Sequence, residues 1–353
     1  MKPVLKHLVE MTGHRDHSRL EISVVTALQQ LMGTQAVRTL EVFNLHDVLY
    51  VRPLVFVHDG VATESGFEAS VDPQREPLDN FPALAQSIKQ RQETATAQRD
   101  DGMHVLWLPV WMHNQPVACL EIAQPTPFSR QERDVIHAIF RVYQNYQNLL
   151  DYSERDALTG LFNRKTFDEQ FARHARAQAA NALREPAAAA QTGEAADVPP
   201  AGGGAASQWL AVVDIDHFKL VNDRFGHLYG DEVLILIANL LKTSFRAQDR
   251  IFRFGGEEFV VLLRSATLEA AHRIFNRFRA AVEQNDFPQV GRVTVSIGFV
   301  EASTGMPTEI LGRADQALYY AKENGRNRVC YYDELVSAGL LTTTATNDSV
   351  ELF

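Results

Sequence analysis

The run Arg253-Phe254-Gly255-Gly256-Glu257-Glu258-Phe259-Val260 sets two adjacent carboxylates directly after a pair of glycines, between strand-like stretches. A flexible dipeptide flanked by β-branched and aromatic residues reads as a tight hairpin. Acidic groups at such a tip suit a metal ion and a polyphosphate lying across backbone that glycine keeps low. Asp214 ends the apolar run Trp209-Leu210-Ala211-Val212-Val213, and strand ends in α/β sheets commonly present ligands. If residues 259–263 pair beside that run, Glu257 and Glu258 meet Asp214 at one edge. Three converging carboxylates repel one another unless a divalent cation sits among them, and all-oxygen donors favour magnesium or manganese over zinc. Lys322 and Arg326 stand four apart, on one face if the helix reaches that far, although Gly325 signals an earlier end. Acid and metal opposite two cations suit a triphosphate; a surface salt-bridge network is the competing reading.

Elements able to position these groups are legible around them. After the strand at 209–213 come a helix at 230–245, the hairpin strands on either side of the glycines, and a helix at 268–283. A strand at 293–300 and a final helix at 308–323 follow, with Ile310, Leu311, Ala314, Ala317, Leu318 and Ala321 inward. Alternating helices and strands with one hairpin describe an α/β (α+β) layer whose sheet is partly antiparallel. Upstream, residues 1–128 read as a small α+β domain: a helix at 21–33, strand material at 40–57, a charged loop region near 70–100, and a hairpin turning at 113–115.

Between the two, residues 129–155 read as one long helix with Ser129 and Glu132 spaced as a capping box. Val135, Ile139, Val142, Tyr146 and Leu149 form a heptad stripe, beside a second line of Ile136, Phe140, Tyr143 and Leu150. Two lines imply two partners, the helix's own domain and a second copy of the helix; packing on its own domain alone is the simpler reading. Residues 185–207 are rich in Ala, Gly and Pro and cannot build a core, so a disordered insertion is expected there.

The chain of 353 residues is long enough for two domains, and its formal charge of -10 argues against a DNA or RNA surface. Two distant cysteines, Cys119 and Cys330, make neither a disulfide framework nor a zinc site. Charge close to the N-terminus argues against a signal peptide, and no run of apolar residues is long enough to span a membrane. A cytoplasmic protein is the expectation.

Asp214-Ile215-Asp216-His217-Phe218-Lys219 through Asn222-Asp223, Phe225-Gly226-His227, Gly230-Asp231, Gly255-Gly256-Glu257-Glu258-Phe259 and Ala321-Lys322-x-x-Gly325-Arg326-Asn327 resemble the GGDEF family in order and spacing. So does Asp156-Ala157-Leu158-Thr159-Gly160-Leu161-Phe162-Asn163-Arg164 at the domain entrance. The resemblance covers about residues 151–332, placing the domain at 156–332 and leaving 333–353 as a tail, and implies a fold like nucleotide cyclases and polymerase palms with a mainly antiparallel central sheet. It implies a diguanylate cyclase: two GTP condensed across a homodimer into cyclic di-GMP and two pyrophosphates. Asp214, the Ile215 carbonyl and Glu257 would hold two metal ions (Mg²⁺ or Mn²⁺) per half-site, with Glu258 sharing the metal or taking the 3′-hydroxyl proton. Lys322 and Arg326 would receive terminal phosphates, with Lys219 as added positive charge and Phe218, Gly255 and Gly256 lining the site. Asn222 and Asp231 would bind guanine; an Asp accepts from its N–H groups, which adenine does not match. Arg246-x-x-Asp249, with Arg277 on the next helix, resembles the family's inhibitory product site.

The first domain resembles a GAF sensor, on pattern rather than on unique residues, with an unknown small-molecule or protein signal and no organic cofactor expected. His46, His58, His104 and His113 read as ordinary surface or core histidines. A catalytically silent cyclic di-GMP or GTP receptor is the alternative function, against which the intact Asp214, Glu257, Glu258, Lys322 and Arg326 argue.

Overall fold

The computed structural model describes residues 2–14, 16–33, 36–45, 48–58, 61–65, 72–112, 114–171, 207–246, 248–302 and 306–341. The chain divides into two compact units, Met1–Ser153 and Glu154–Phe353. Residues 185–206 of the expected insertion, together with His46, His113 and the side chain of His58, lie outside the described residues.

The first unit is built on an antiparallel sheet. Its strands β1 (Val37–Leu45), β2 (Val48–His58), β3 (Val61–Glu64), β5 (Ala95–Gln98), β6 (His104–Met112) and β7 (Gln115–Gln124) run in the order β3-β2-β1-β7-β6-β5, and β4 (Glu76–Pro77) pairs with β2. One face packs Val37, Val55, Leu106, Leu108, Leu120 and Ile122 with Met11 of α1 (Lys2–Thr12), α2 (His17–Met32) and α4 (Arg130–Glu154). The other packs Leu40, Val51, Val105 and Trp107 with Leu84 and Ile88 of α3 (Pro82–Gln90). The region near 70–100 is therefore not one charged loop. Its helix starts at Pro82, a residue pre-set for the first helical position, and is too short to show a repeating apolar period.

The capping box at α4 forms in both directions: Ser129 N donates to Glu132 Oε2 at 2.7 Å and Glu132 N to Ser129 Oγ at 3.2 Å. The seam of α4 in the core is Ile136, Phe140, Tyr143 and Leu150 of the second apolar line together with Ile139 of the heptad stripe, and Val135 and Tyr146 of that stripe pack against the same core. Leu149 of the heptad stripe is exposed, as is Tyr152. In the same core, buried Glu21 of α2 accepts hydrogen bonds from Tyr143 Oη and, at 2.8 Å, from Gln147 Nε2.

The second unit holds a six-stranded sheet in the order β13-β12-β9-β11-β10-β8, from β8 (Phe162–Asn163), β9 (Ser207–Ile215), β10 (Arg250–Gly255), β11 (Glu258–Ala266), β12 (Val295–Glu301) and β13 (Val329–Tyr331). The ladders about central β9 are antiparallel, and only the edge strands β8 and β13 pair in parallel. β9 reads as a continuous apolar run because both its faces are covered. Ala211, Val213 and Ile215 face a core with helices His227–Ser244 and Leu268–Gln284, while Leu210 and Val212 face helix Pro307–Glu323. That last helix lies directly on β12. A Cβ at Gly298 would meet the Ala314 carbonyl oxygen and the Leu318 nitrogen, each at 2.2 Å. Beyond the expected end at 332, a short helix Tyr332–Ser337 buries Tyr332 and Leu335, so the described chain to 341 is not a free tail.

Candidate active site

Register brings the carboxylates together. On its two sides Asp214, near the end of β9, is paired with Glu258 of β11 and Ser296 of β12. The hairpin closes between Gly255 and Glu258, so its two turn residues are Gly256 and Glu257 rather than the two glycines. Gly255 has φ 146° and Gly256 φ 50°, both on the side of backbone space that glycine enters without cost. A Cβ at either would meet nothing within 4 Å, so the space over the turn is open. One carboxylate thus sits at the tip and the other at the first ladder pair.

Burial and crowding raise the pKa of Asp214, Glu257, Glu258 and Asp315. Burial acts most on Asp214, with Asp216 and Asp315 adding to it and Lys322 opposing. Glu257 and Glu258 are raised by burial and then by Asp214. Asp315, which the sequence reading missed, is raised by burial and opposed by Lys322. The signal for it was spacing: it precedes Lys322 by two helical turns.

The Lys322 ammonium reaches Asp214 Oδ2 at 2.7 Å. The expected cage of three carboxylates is therefore not closed. Among the described residues no three His, Cys, Asp or Glu side chains converge tightly enough to hold a metal ion by themselves. The donors at this edge are nonetheless all hard oxygens, and a lysine cation already sits where positive charge is wanted. That chemistry fits a magnesium-type ion completed by substrate oxygens and water.

Helix Pro307–Glu323 stops before Arg326, as Gly325 signalled. Gly325, Arg326 and Asn327 have φ of 105°, 58° and 47°, a left-handed turn that leaves Arg326 half-buried. Asp216 is absorbed in holding this turn: it accepts Ser296 Oγ and Thr294 Oγ1, each at 2.7 Å, and the Asn327 N–H at 3.0 Å.

On the opposite rim, helix Phe218–Phe225 buries Phe218 in the core and leaves Lys219 exposed. Asn222 lies across Gly230: a Cβ there would stand 2.0 Å from Asn222 Oδ1 and 3.3 Å from Phe218 Cζ. Asp231 follows on the exposed side.

A clamp on the hairpin was also missed. Arg253 donates to the Gly256 carbonyl from Nε at 3.3 Å and Nη2 at 2.9 Å, and from Nη1 to Asp156 Oδ1 at 2.9 Å. Asp156 further accepts Thr159 N and Oγ1 at 2.9 and 2.7 Å. These bonds hold its carboxyl below the usual range against the opposing effect of burial.

The expected product-site residues lie away from this edge. Asp249 is buried and both its oxygens are engaged, Oδ2 by Arg246 N at 2.9 Å and Oδ1 by Arg264 N at 3.1 Å. Arg277 Nη2 donates to the Ser244 carbonyl at 2.7 Å, which brings it beside the segment carrying Arg246.

Residues 204–328 match the family described as "Diguanylate cyclase, GGDEF domain", and the chain carries a GGDEF domain there. Diguanylate cyclase DgcP of Pseudomonas aeruginosa is 49% identical over 124 residues, which are 34% of this chain and 18% of that protein. Diguanylate cyclase DgcZ of Escherichia coli is 35% identical over 186 residues, 52% of this chain and 54% of that one. The chain thus spans only part of the length of these relatives. The solved GGEEF domain of a diguanylate cyclase from Vibrio cholerae is 36% identical, covering 36% of this chain and 83% of its own, with a TM-score of 0.34.

Proposed function

We propose that this chain, through its GGDEF domain, is a diguanylate cyclase that condenses two GTP into cyclic di-GMP and two pyrophosphates. The observation that carries the reading is Lys322 on Asp214, with Glu258 in register beside it and Glu257 at an open glycine turn. An acidic edge with a single strong cation suits a site completed by a polyphosphate and its counter-ion.

Asp214, the Ile215 carbonyl and Glu257 would hold the divalent ions, which when bound polarise the α-phosphate and acidify the attacking 3′-hydroxyl. Glu258 shares that role or accepts the hydroxyl proton. Lys322 and Arg326 draw the terminal phosphates and take up charge as pyrophosphate leaves. Asp231 accepts from the guanine N–H groups, and Asn222 hydrogen-bonds the base beside it. Each copy supplies one half-site, so two copies must face one another, and proximity is the remaining part of the problem. The first unit, with helices on both faces of an antiparallel sheet, acts as a GAF-like sensor feeding the second through α4. Arg246, Asp249 and Arg277 form an inhibitory site for the product.

Purified full-length protein incubated with GTP and magnesium, followed by separation of the nucleotides, tests this. Cyclic di-GMP is expected, with Glu257→Ala inactive. GTP bound but unconverted across a range of protein concentrations would instead make the chain a receptor.

A further inference from the structure

Left-handed backbone is costly for a branched-chain or long side chain and persists where its surroundings over-determine it. Arg326 adopts it directly after Gly325, and Asn327, whose short polar side chain tolerates it, follows. Three separate elements grip this turn. The Arg326 N–H donates to Ala321 O at 3.0 Å, within helix Pro307–Glu323, and the Asn327 N–H goes to Asp216 beyond β9. The third grip comes from helix Leu268–Gln284. Arg279 Nη1 donates to Asn327 Oδ1 at 2.7 Å, and Asn327 Nδ2 donates to Glu283 Oε1 at 2.8 Å. The same Arg279 nitrogen closes the ring on Glu283 Oε2 at 2.7 Å. The amide of Asn327 is thus read on both its oxygen and its nitrogen by a matched ion pair one turn apart.

We infer that Arg279 and Glu283 are positioning residues for the terminal-phosphate grip, holding Asn327 so that Arg326 is aimed at the β- and γ-phosphates of the nucleotide. The inference rests on reading Arg326 as a phosphate ligand. Neither residue touches substrate; each acts through Asn327. Glu283→Gln cannot fill both acceptor duties, because one of its two terminal atoms becomes a donor. Arg279→Lys keeps a cation that can serve both acceptors from one nitrogen.

The test is binding to full-length protein of the α,β-methylene analogue of GTP with magnesium, compared with GMP, by calorimetric competition. Losing the charge-assisted bond to Asn327 predicts about tenfold weaker analogue binding in Arg279→Ala and Glu283→Gln, with GMP affinity nearly unchanged. Arg279→Lys should recover part of the loss. Unchanged analogue affinity in both variants, or equal losses for GMP and the analogue, overturns the inference alone. Wild-type protein that fails to bind the analogue overturns the phosphate site together with it.

Discussion

Lys322 Nζ lies 2.7 Å from Asp214 Oδ2, so the cation assigned to phosphate is already paired with the carboxylate assigned to metal. On the proposed function, bound nucleotide and metal would separate this pair. Lys322 is also the influence that opposes the raised pKa of Asp214. In Lys322→Ala the Asp214 carboxyl should rise further, and the acidic limb of the pH–rate profile should move to higher pH. Turnover should fall by about 10²-fold, as when a single charge-stabilising donor is removed. An acidic limb that stays in place would break the link between the two residues.

Gly230 should prove to be a specificity position. The nearest atom to an added Cβ is Asn222 Oδ1, the far end of a side chain that can rotate away. Gly230→Ala should therefore cost little stability, within roughly 1 kcal/mol for a relieved overlap. It should nevertheless raise KM for GTP and narrow the preference for GTP over ATP. A steep loss of melting temperature with unchanged base preference would make Gly230 a packing residue only.

Product inhibition, if Arg246 and Arg277 deliver it, is best probed without touching Asp249. Removing Asp249 strips partners from two backbone N–H groups, a loss of about 1–3 kcal/mol for each left buried. Arg246→Ala and Arg277→Ala leave that turn intact. Both should lose inhibition by added cyclic di-GMP while initial rates hold. Retained inhibition in both variants would remove the site from consideration.

Glu21 gives the first unit a pH dependence of definite sign. Burial raises its pKa above 4.5, opposed by Tyr143, Thr39 and His17, while Glu64 adds slightly to the rise. An acid held protonated more firmly in the folded state than in the unfolded one makes folding most favourable below its unfolded pKa. Stability then declines as pH climbs from 4.5 through the raised folded value. Glu21→Gln should abolish this decline, so the gap in melting temperature should open in the variant's favour as pH rises. Parallel melting curves for the two proteins at every pH would show that Glu21 does not titrate in that window.

Much of the site was legible because its information is local. A strand ending in Asp214 and a glycine turn before two glutamates each announce a position, and antiparallel pairing then puts Glu258 opposite Asp214. Single-residue offsets were less legible. Whether the turn is Gly255-Gly256 or Gly256-Glu257 depends on the ladder, which composition does not encode. Arg253 and Asp156 are far apart in sequence, and nothing in either one's neighbours announces their contact. Asp249 illustrates the reverse difficulty: its motif spacing marks a ligand, yet its two oxygens are spent on backbone. On α4, two apolar lines were visible, but how far each would be buried by its own unit depended on the facing residues of the sheet and of α2.

The Arg253 guanidinium has a consequence for how such chains diversify. It joins Asp156, two residues past the end of α4, to the Gly256 carbonyl of the hairpin turn. A chimera placing another helix-ended module ahead of Glu154 should keep basal cyclase activity if the helix delivers Asp156 in phase, and Arg253→Ala should blunt that module's influence. Equal responses with and without the arginine would place the coupling elsewhere. If the first unit is an input module as proposed, such a joint would make input modules interchangeable: new senses could be grafted by recombination at a single seam, with the chemistry downstream left unrewritten.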